Sequence, residues 1–247
     1  MSAPAPLARM VRSQARFELR LALRNGEQLL LMLVIPIGLL LLLSQVEVVD
    51  IGTTHRIDFV TPGVLSLAVL STAFTSLAIA TGFERRYGAL KRLGATPLPR
   101  SGLLAGKALA VLTVEAAQFA LIGGLAAALG WSPHGLWPAA VALAVLATIA
   151  FVSLGLLMAG TMRAEATLAG ANLLFLVLLL SSGISFPLSR LPSGVEHAAR
   201  LLPSTALTDG LRAVLQDGDA VPLRCWLVLV VWALAGVLAA ARWFRWD

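Results

Sequence analysis

The chain has 247 residues, of which 58% are hydrophobic and 13% charged, with a mean hydropathy of +0.86; this excludes an ordinary soluble domain and places the chain in a bilayer. Nineteen Lys and Arg against 13 Asp and Glu give a formal net charge of +6, yet these cations punctuate apolar segments instead of gathering with aromatics, which excludes a nucleic-acid-binding domain. The single cysteine, Cys225, excludes an intramolecular disulfide framework and a metal–thiolate cluster.

The first predicted element is an amphipathic helix within residues 1–26. Arg9, Arg12, Arg16, Arg20 and Arg24 are spaced 3, 4, 4 and 4, which at 100° per residue confines them to about a 120° arc. Leu7, Met10, Val11, Phe17 and Leu21 lie across from them, so the helix suits the headgroup plane of a membrane. Glu18 interrupts the apolar side, and Leu19 and Leu23 fall near the arginines.

A bilayer core needs about 20 apolar residues per helix. Six segments qualify: Glu27 to Val46, Phe59 to Gly82, Gly102 to Gly130, Leu136 to Thr161, Ala166 to Phe186 and Pro222 to Ala241. The first contains "LLLMLVIPIGLLLLLS", preceded by 28 residues with five arginines and followed by no small-residue cleavage site. It is expected to be an uncleaved span, kinked at Pro36. With the N-terminus inside, fourteen of the 19 cations fall on the cytoplasmic side. These are the five N-terminal arginines, Arg85, Arg86, Lys91, Arg92, Arg100, Lys107, Arg163, Arg242 and Arg245. The positive-inside rule then puts both termini in the cytoplasm. Arg makes up 17 of the 19 cations and Ala and Leu are abundant, which fits a GC-rich bacterial source and hence a bacterial inner membrane.

Between spans 2 and 3 lies "ERRYGALKRLGATPLPR", residues 84–100. Its charge alone would fix topology, but Tyr87, Leu90 and Leu93 recur at helical spacing, and Gly94 and Pro97 stop the pattern. A short amphipathic helix facing the cytoplasm is expected there. Span 3 follows with "GLLAGKA" from Gly102. This fails as a phosphate-binding loop, because three residues instead of four separate its glycines and Ala108 stands where Ser or Thr must reach magnesium. Near the middle of span 3, Glu115 lies one turn from Gln118; an ionisable group at that depth is either functional or bonded to a neighbour such as a Ser or Thr. Span 2 offers Ser71, Thr72, Thr75 and Ser76 at helical spacing, and span 5 offers Asn172. His55, His134 and His197 are scattered in outer loops and read as ordinary loop residues.

Residues 183–222, "GISFPLSRLPSGVEHAARLLPSTALTDGLRAVLQDGDAVP", are too long for a turn. Ser193 and Glu196 fit a capping box that opens a short helix ending near Leu202. A second helix is expected from near Ser204 to Asp217–Gly218, with Leu207, Leu211, Val214 and Leu215 on one face. Two such helices on the outer side would dip into the membrane, sheltered by protein.

The six spans, "ERRYGALKRLGATPL" after the second, and "GISFPLSRLP" followed by "LLPSTALTDGLRAVL" resemble the transmembrane subunits of type-2 ABC exporters, the drug- and antibiotic-export permeases, over essentially the whole chain. The resemblance implies an all-α integral membrane fold in a single transmembrane domain, 1–247. Within it, residues 1–26 are the interfacial helix, 27–186 hold spans 1 to 5, 187–221 form re-entrant outer helices marked by Phe186, Pro187, Pro192, Pro203, Asp209 and Arg212, and 222–247 are span 6 and a cytoplasmic tail. It further implies that Glu84 to Leu93 is a coupling helix docking into an ATP-hydrolysing subunit. In that helix Glu84, Arg85, Arg86 and Lys91 would supply charge complementarity, Tyr87 and Leu90 would fill a groove, and Gly88 sits between them. ATP and magnesium would be bound by two partner ATPase subunits and no cofactor by this chain. The permease would pair with a second copy or a sister permease, surrounded by lipid. Thr72, Thr75, Ser76, Glu115 and Asn172 would mark the path of a small amphiphilic, drug-like or lipid-like compound moving outward. A proton-coupled secondary transporter with Glu115 as carrier would need paired buried charges and an internal repeat. A membrane-embedded lipid-modifying enzyme would need clustered acids, or a nucleophile with its base. Neither pattern is present in the sequence.

Overall fold

A computed structural model describes residues 5–45, 56–184 and 192–245, all helix and turn. Phe186 and Pro187 lie outside the described residues. Helix α1, Leu7–Arg24, stops at Asn25, whose N–H bonds back to Leu21 and Ala22, and α2, Gly26–Gln45, follows with Pro36 inside it. The second span is one 31-residue helix, Arg56–Arg86, made of α3 (Arg56–Val69), a π-helical segment (Leu70–Ser76) and α4 (Leu77–Arg86). Then come α5 (Ala89–Gly94), α6 (Arg100–Ala128), α7 (Trp137–Thr161), α8 (Ala164–Ser181), α9 (Ser193–Ala199), α10 (Pro203–Leu215) and α11 (Leu223–Trp243).

Five helices among the described residues are long and apolar enough to cross a membrane: Arg56–Arg86, α6, α7, α8 and α11. In α2 the described apolar stretch is shorter, Met32–Gln45, although the whole helix of 20 residues is about 30 Å long. The fifth expected span is corrected at its end: α8 stops at Ser181, and Gly183 turns the chain at φ 72° instead of continuing to residue 186. The α3–π–α4 helix is the buried axis, with Val64, Ala68, Leu70 and Ala73 packed against Leu143, Phe151 and Leu156 of α7. Small residues bring α7 and α11 together, since a methyl on Gly236 would collide with Ser153 Oγ. The outer faces of α6, α8 and α11 present Leu121, Leu173, Leu234 and Leu238 outward, as lipid contact requires.

Contacts separate the bundle into two ends. At one end meet α1, the end of α4, α5, the start of α6, the end of α7, the start of α8 and the end of α11. Arg245 N–H bonds to Gly160 O there, and Lys107 bonds to Glu84. At the other end the connection before α7 meets α10 through His134 N–H to Leu215 O, and α8 meets α10 through the Thr205 hydroxyl to Ser181 O.

The expected capping box does not form. Pro192 is the N-cap of α9 and Ser193 is already helical; Glu196 pairs instead with Arg200 one turn on. Helix α10 has the expected face, with Leu207, Leu211, Val214 and Leu215 all buried.

Candidate functional site

The segment between the second and third spans is an elbow, not one helix. α4 runs through Arg86, Tyr87 caps it, and Gly88 adopts φ 72°, where a side chain would be strained, before α5 restarts at Ala89. This corrects the expected Tyr87, Leu90, Leu93 face. Tyr87 is 70% exposed and stacks on Phe83, whereas Leu90 is fully buried against the chain's own core. Leu90 is therefore unavailable to any partner's groove. Lys91 and Arg92 are exposed.

Three consecutive side chains at the end of α4 reach three different neighbours, because each step turns about 100° around the helix. Arg85 donates to the carbonyls of Ala159 at 3.0 Å and Met162 at 3.2 Å, the end of α7, where a helix leaves carbonyls without internal partners. Arg86 pairs with Glu165 in the first turn of α8. Glu84 accepts from Lys107 of α6 at 2.8 Å. Lys107 is 1% exposed and lies 2.8 Å from Glu18 of α1 as well, and Glu18 also accepts from Gln14 at 2.7 Å. One buried ammonium thus joins α1, α4 and α6. Arg85, expected to face a partner, is bonded to the end of α7, whereas Arg86 pairs with Glu165 and stays exposed.

The joint needs α1 to lie close on α6, and two glycines one turn apart permit it. A Cβ on Gly106 would sit 2.7 Å from the Gln14 side chain, and one on Gly102 would sit 3.3 Å from Leu7. The stretch that fails as a phosphate loop is the seat of α1. Sequence reasoning missed Lys107 as a site residue; its signal was Glu18, a lone acid on the apolar side of α1, matched by a lone lysine at the start of span 3. The five arginines of α1 lie on the side away from α6, Arg9, Arg12, Arg16, Arg20 and Arg24 all being exposed.

The polar residues expected on one path are divided among three cavities. Thr75, Ser76 and Asn172, with Ser71 and Phe175, line a groove of about 600 Å³ between α2, the π segment and α8. Thr72 belongs to the adjoining cavity, also about 600 Å³, which runs down to Lys107 and Tyr87. The Thr72 hydroxyl donates to Gln118, and Gln118 donates in turn to Met32 O of α2, so this threonine ties three helices. Glu115 is turned away from both, into a third cavity between α6 and α7.

A family model described as ABC-2 family transporter protein matches residues 52–242. The chain belongs to the ABC-2 transporter family. No curated protein matches it. Membership makes it a membrane subunit of an ABC transporter, a multi-pass permease of a kind that works with an ABC ATPase. The matched region begins after α2, so the helix α1 that carries Glu18 lies outside it and is tied to it by Lys107.

At the far end of this ABC-2 chain α9 and α10 are clamped to the bundle. Pro203 opens α10 at its first turn, where a proline costs no hydrogen bond. Asp209 pairs with Arg224 of α11 at 2.5 Å, and Arg224 also donates to Arg200 O. Arg212 lies 3.7 Å over the Phe59 ring and donates to Ile184 O at 3.4 Å. Burial lowers its pKa to about 10, with Asp209 and Asp217 acting against that fall. Arg212 thus pins α10 to α3 and to the turn after α8.

Proposed function

We propose that this ABC-2 permease is driven by two separate ATPase subunits, which bind ATP and magnesium, and that their motion enters it at the α4–α5 elbow. The observation that carries the reading is the joint of Glu18, Lys107 and Glu84 immediately behind that elbow. A push on the exposed surface of Tyr87, Lys91 and Arg92 cannot be absorbed by the elbow alone. Glu84 passes it to α6 and α1, Arg85 to the end of α7, and Arg86 to the start of α8. The docking surface is accordingly Tyr87, Lys91 and Arg92, with the α1 arginines beside it; Glu84, Arg85 and Arg86 act as tethers.

The permease works as a pair, with a second copy or a sister chain, in a bacterial inner membrane with both termini cytoplasmic, the basic end of the bundle facing the ATPases. It exports a small amphiphilic compound through the groove lined by Thr75, Ser76 and Asn172. What supports this is the groove's composition: a few hydroxyls and two amides, Asn25 and Asn172, among apolar walls of Met32, Ile35, Leu67 and Phe175. The π segment supports it too, because a wide turn is a common device for aiming side chains at a functional cavity.

Isolation of the native complex followed by reconstitution tests the proposal. ATP-dependent movement of a lipophilic dye across liposomes is expected only when the ATPase subunits accompany the permease. Movement by this chain alone would count against it.

A further inference from the structure

The cavity that holds Glu115 is a second site, apart from the groove assigned above. It measures about 560 Å³ and lies between α6 and α7. Its floor is a row of small residues on α6, including Ala116, Ala120 and Gly124, and its α7 wall is Val141 and Val145. Such a row alone is ordinary helix packing. Two polar atoms make this one different. Glu115 is 4% exposed, and while its Oε2 lies 2.6 Å from the Thr148 hydroxyl, its Oε1 finds no hydrogen-bond partner among the described residues. Trp131 is 5% exposed, lines the same cavity, and its indole N–H finds none either.

Both atoms carry unmet demands in an apolar surrounding. A carboxyl in hydrocarbon calls for a cation or a proton, and a buried N–H calls for an acceptor. The Trp131 ring packs on Gly123, eight residues beyond Glu115 and so about 12 Å along the helix. We propose that the α6–α7 cavity binds a lipophilic amine. Its ammonium sits on Glu115, its chain lies along the Ala116–Ala120–Gly124 row, and an acceptor about 12 Å from the nitrogen meets Trp131. Depth argues for a free amine over a lipid headgroup, because Glu115 lies about 20 Å from either end of α6, far from the headgroup plane.

The test uses the full chain in phosphatidylcholine nanodiscs, with an undecylamine carrying a terminal bromine as probe and the bromine-tipped undecanol of the same length as control. Bromine quenches nearby tryptophan fluorescence, and the chain length places it beside Trp131 and Trp137. Saturable quenching by the amine is expected, about tenfold weaker in Glu115→Gln, with the alcohol weak and unaffected by the substitution. Equal binding of the amine by wild type and Glu115→Gln overturns the proposal. Should Glu115→Gln fail to fold, Gly124→Leu keeps the charge and fills the floor, where a Cβ meets open space. That variant should lose saturable quenching, and retained quenching overturns the proposal. Replacing half the phosphatidylcholine with phosphatidylethanolamine should leave amine affinity unchanged; displacement would assign the cavity to lipid headgroups and overturn it. No ATPase is present, so the outcome is independent of the coupling reading.

Discussion

Lys107 is the residue on which the basic end depends. A fully buried ammonium between two carboxylates is tolerated only while all three are present, since removing one partner of a buried ionic group costs about 3–5 kcal/mol whereas replacing the whole set can be neutral. Lys107→Met should therefore sharply lower the melting temperature of the purified chain. Adding Glu18→Gln and Glu84→Gln to it should restore most of the loss, as read by thermal unfolding in detergent. Leu90 and Tyr87 make a second contrast at this scale. Leu90→Ala opens a cavity inside the chain and should cost about 2–5 kcal/mol, whereas Tyr87→Ala, at an exposed position, should shift the melting point little and instead weaken stimulation of the ATPase. The reverse result would return Leu90 to the partner's groove.

Among the elements, α1 is held by shape as much as by charge. Gly106→Leu would drive a side chain into Gln14 and should lift α1 from α6, which distance measurements between spin labels on the exposed Ser13 and Ser101 would register as a lengthening. An unchanged distance would show that α1 rests on lipid and not on α6. The helix α1 itself was legible in the sequence because its arginines repeat at one angular position. Its partner was not, because a contact between residue 14 and residue 106 leaves no local trace beyond Glu18 on the wrong face. The elbow was half legible: Gly94 and Pro97 announced its end, but the break at Gly88 was overlooked in favour of an unbroken periodicity from Tyr87 to Leu93. The π segment had no mark at all. Its Phe74 carbonyl lies against Gly155 of α7, where a Cβ would come to 3.0 Å, a tertiary contact that leaves no local pattern.

For the whole molecule, hydropathy placed the helices well because a bilayer imposes a length and an apolar composition on every span. It could not place side chains around those helices. Glu115, Thr72 and Asn172 are expected on one path, yet they face three different cavities, since which side of a helix is lined, packed or lipid-facing depends on its neighbours. The same logic explains the charges of residues 84–100. Glu84, Arg85 and Arg86 are bonded within this chain, whereas Lys91 and Arg92 face outward. The central claim is that force from a separate ATPase enters through that outward surface. The most direct measurement is the ATPase rate of the reconstituted complex with wild-type permease and with Lys91→Glu and Arg92→Glu combined. The account predicts a reduction of about tenfold or more in permease-dependent stimulation with the permease's melting temperature unchanged; full stimulation by the doubly reversed permease would contradict it.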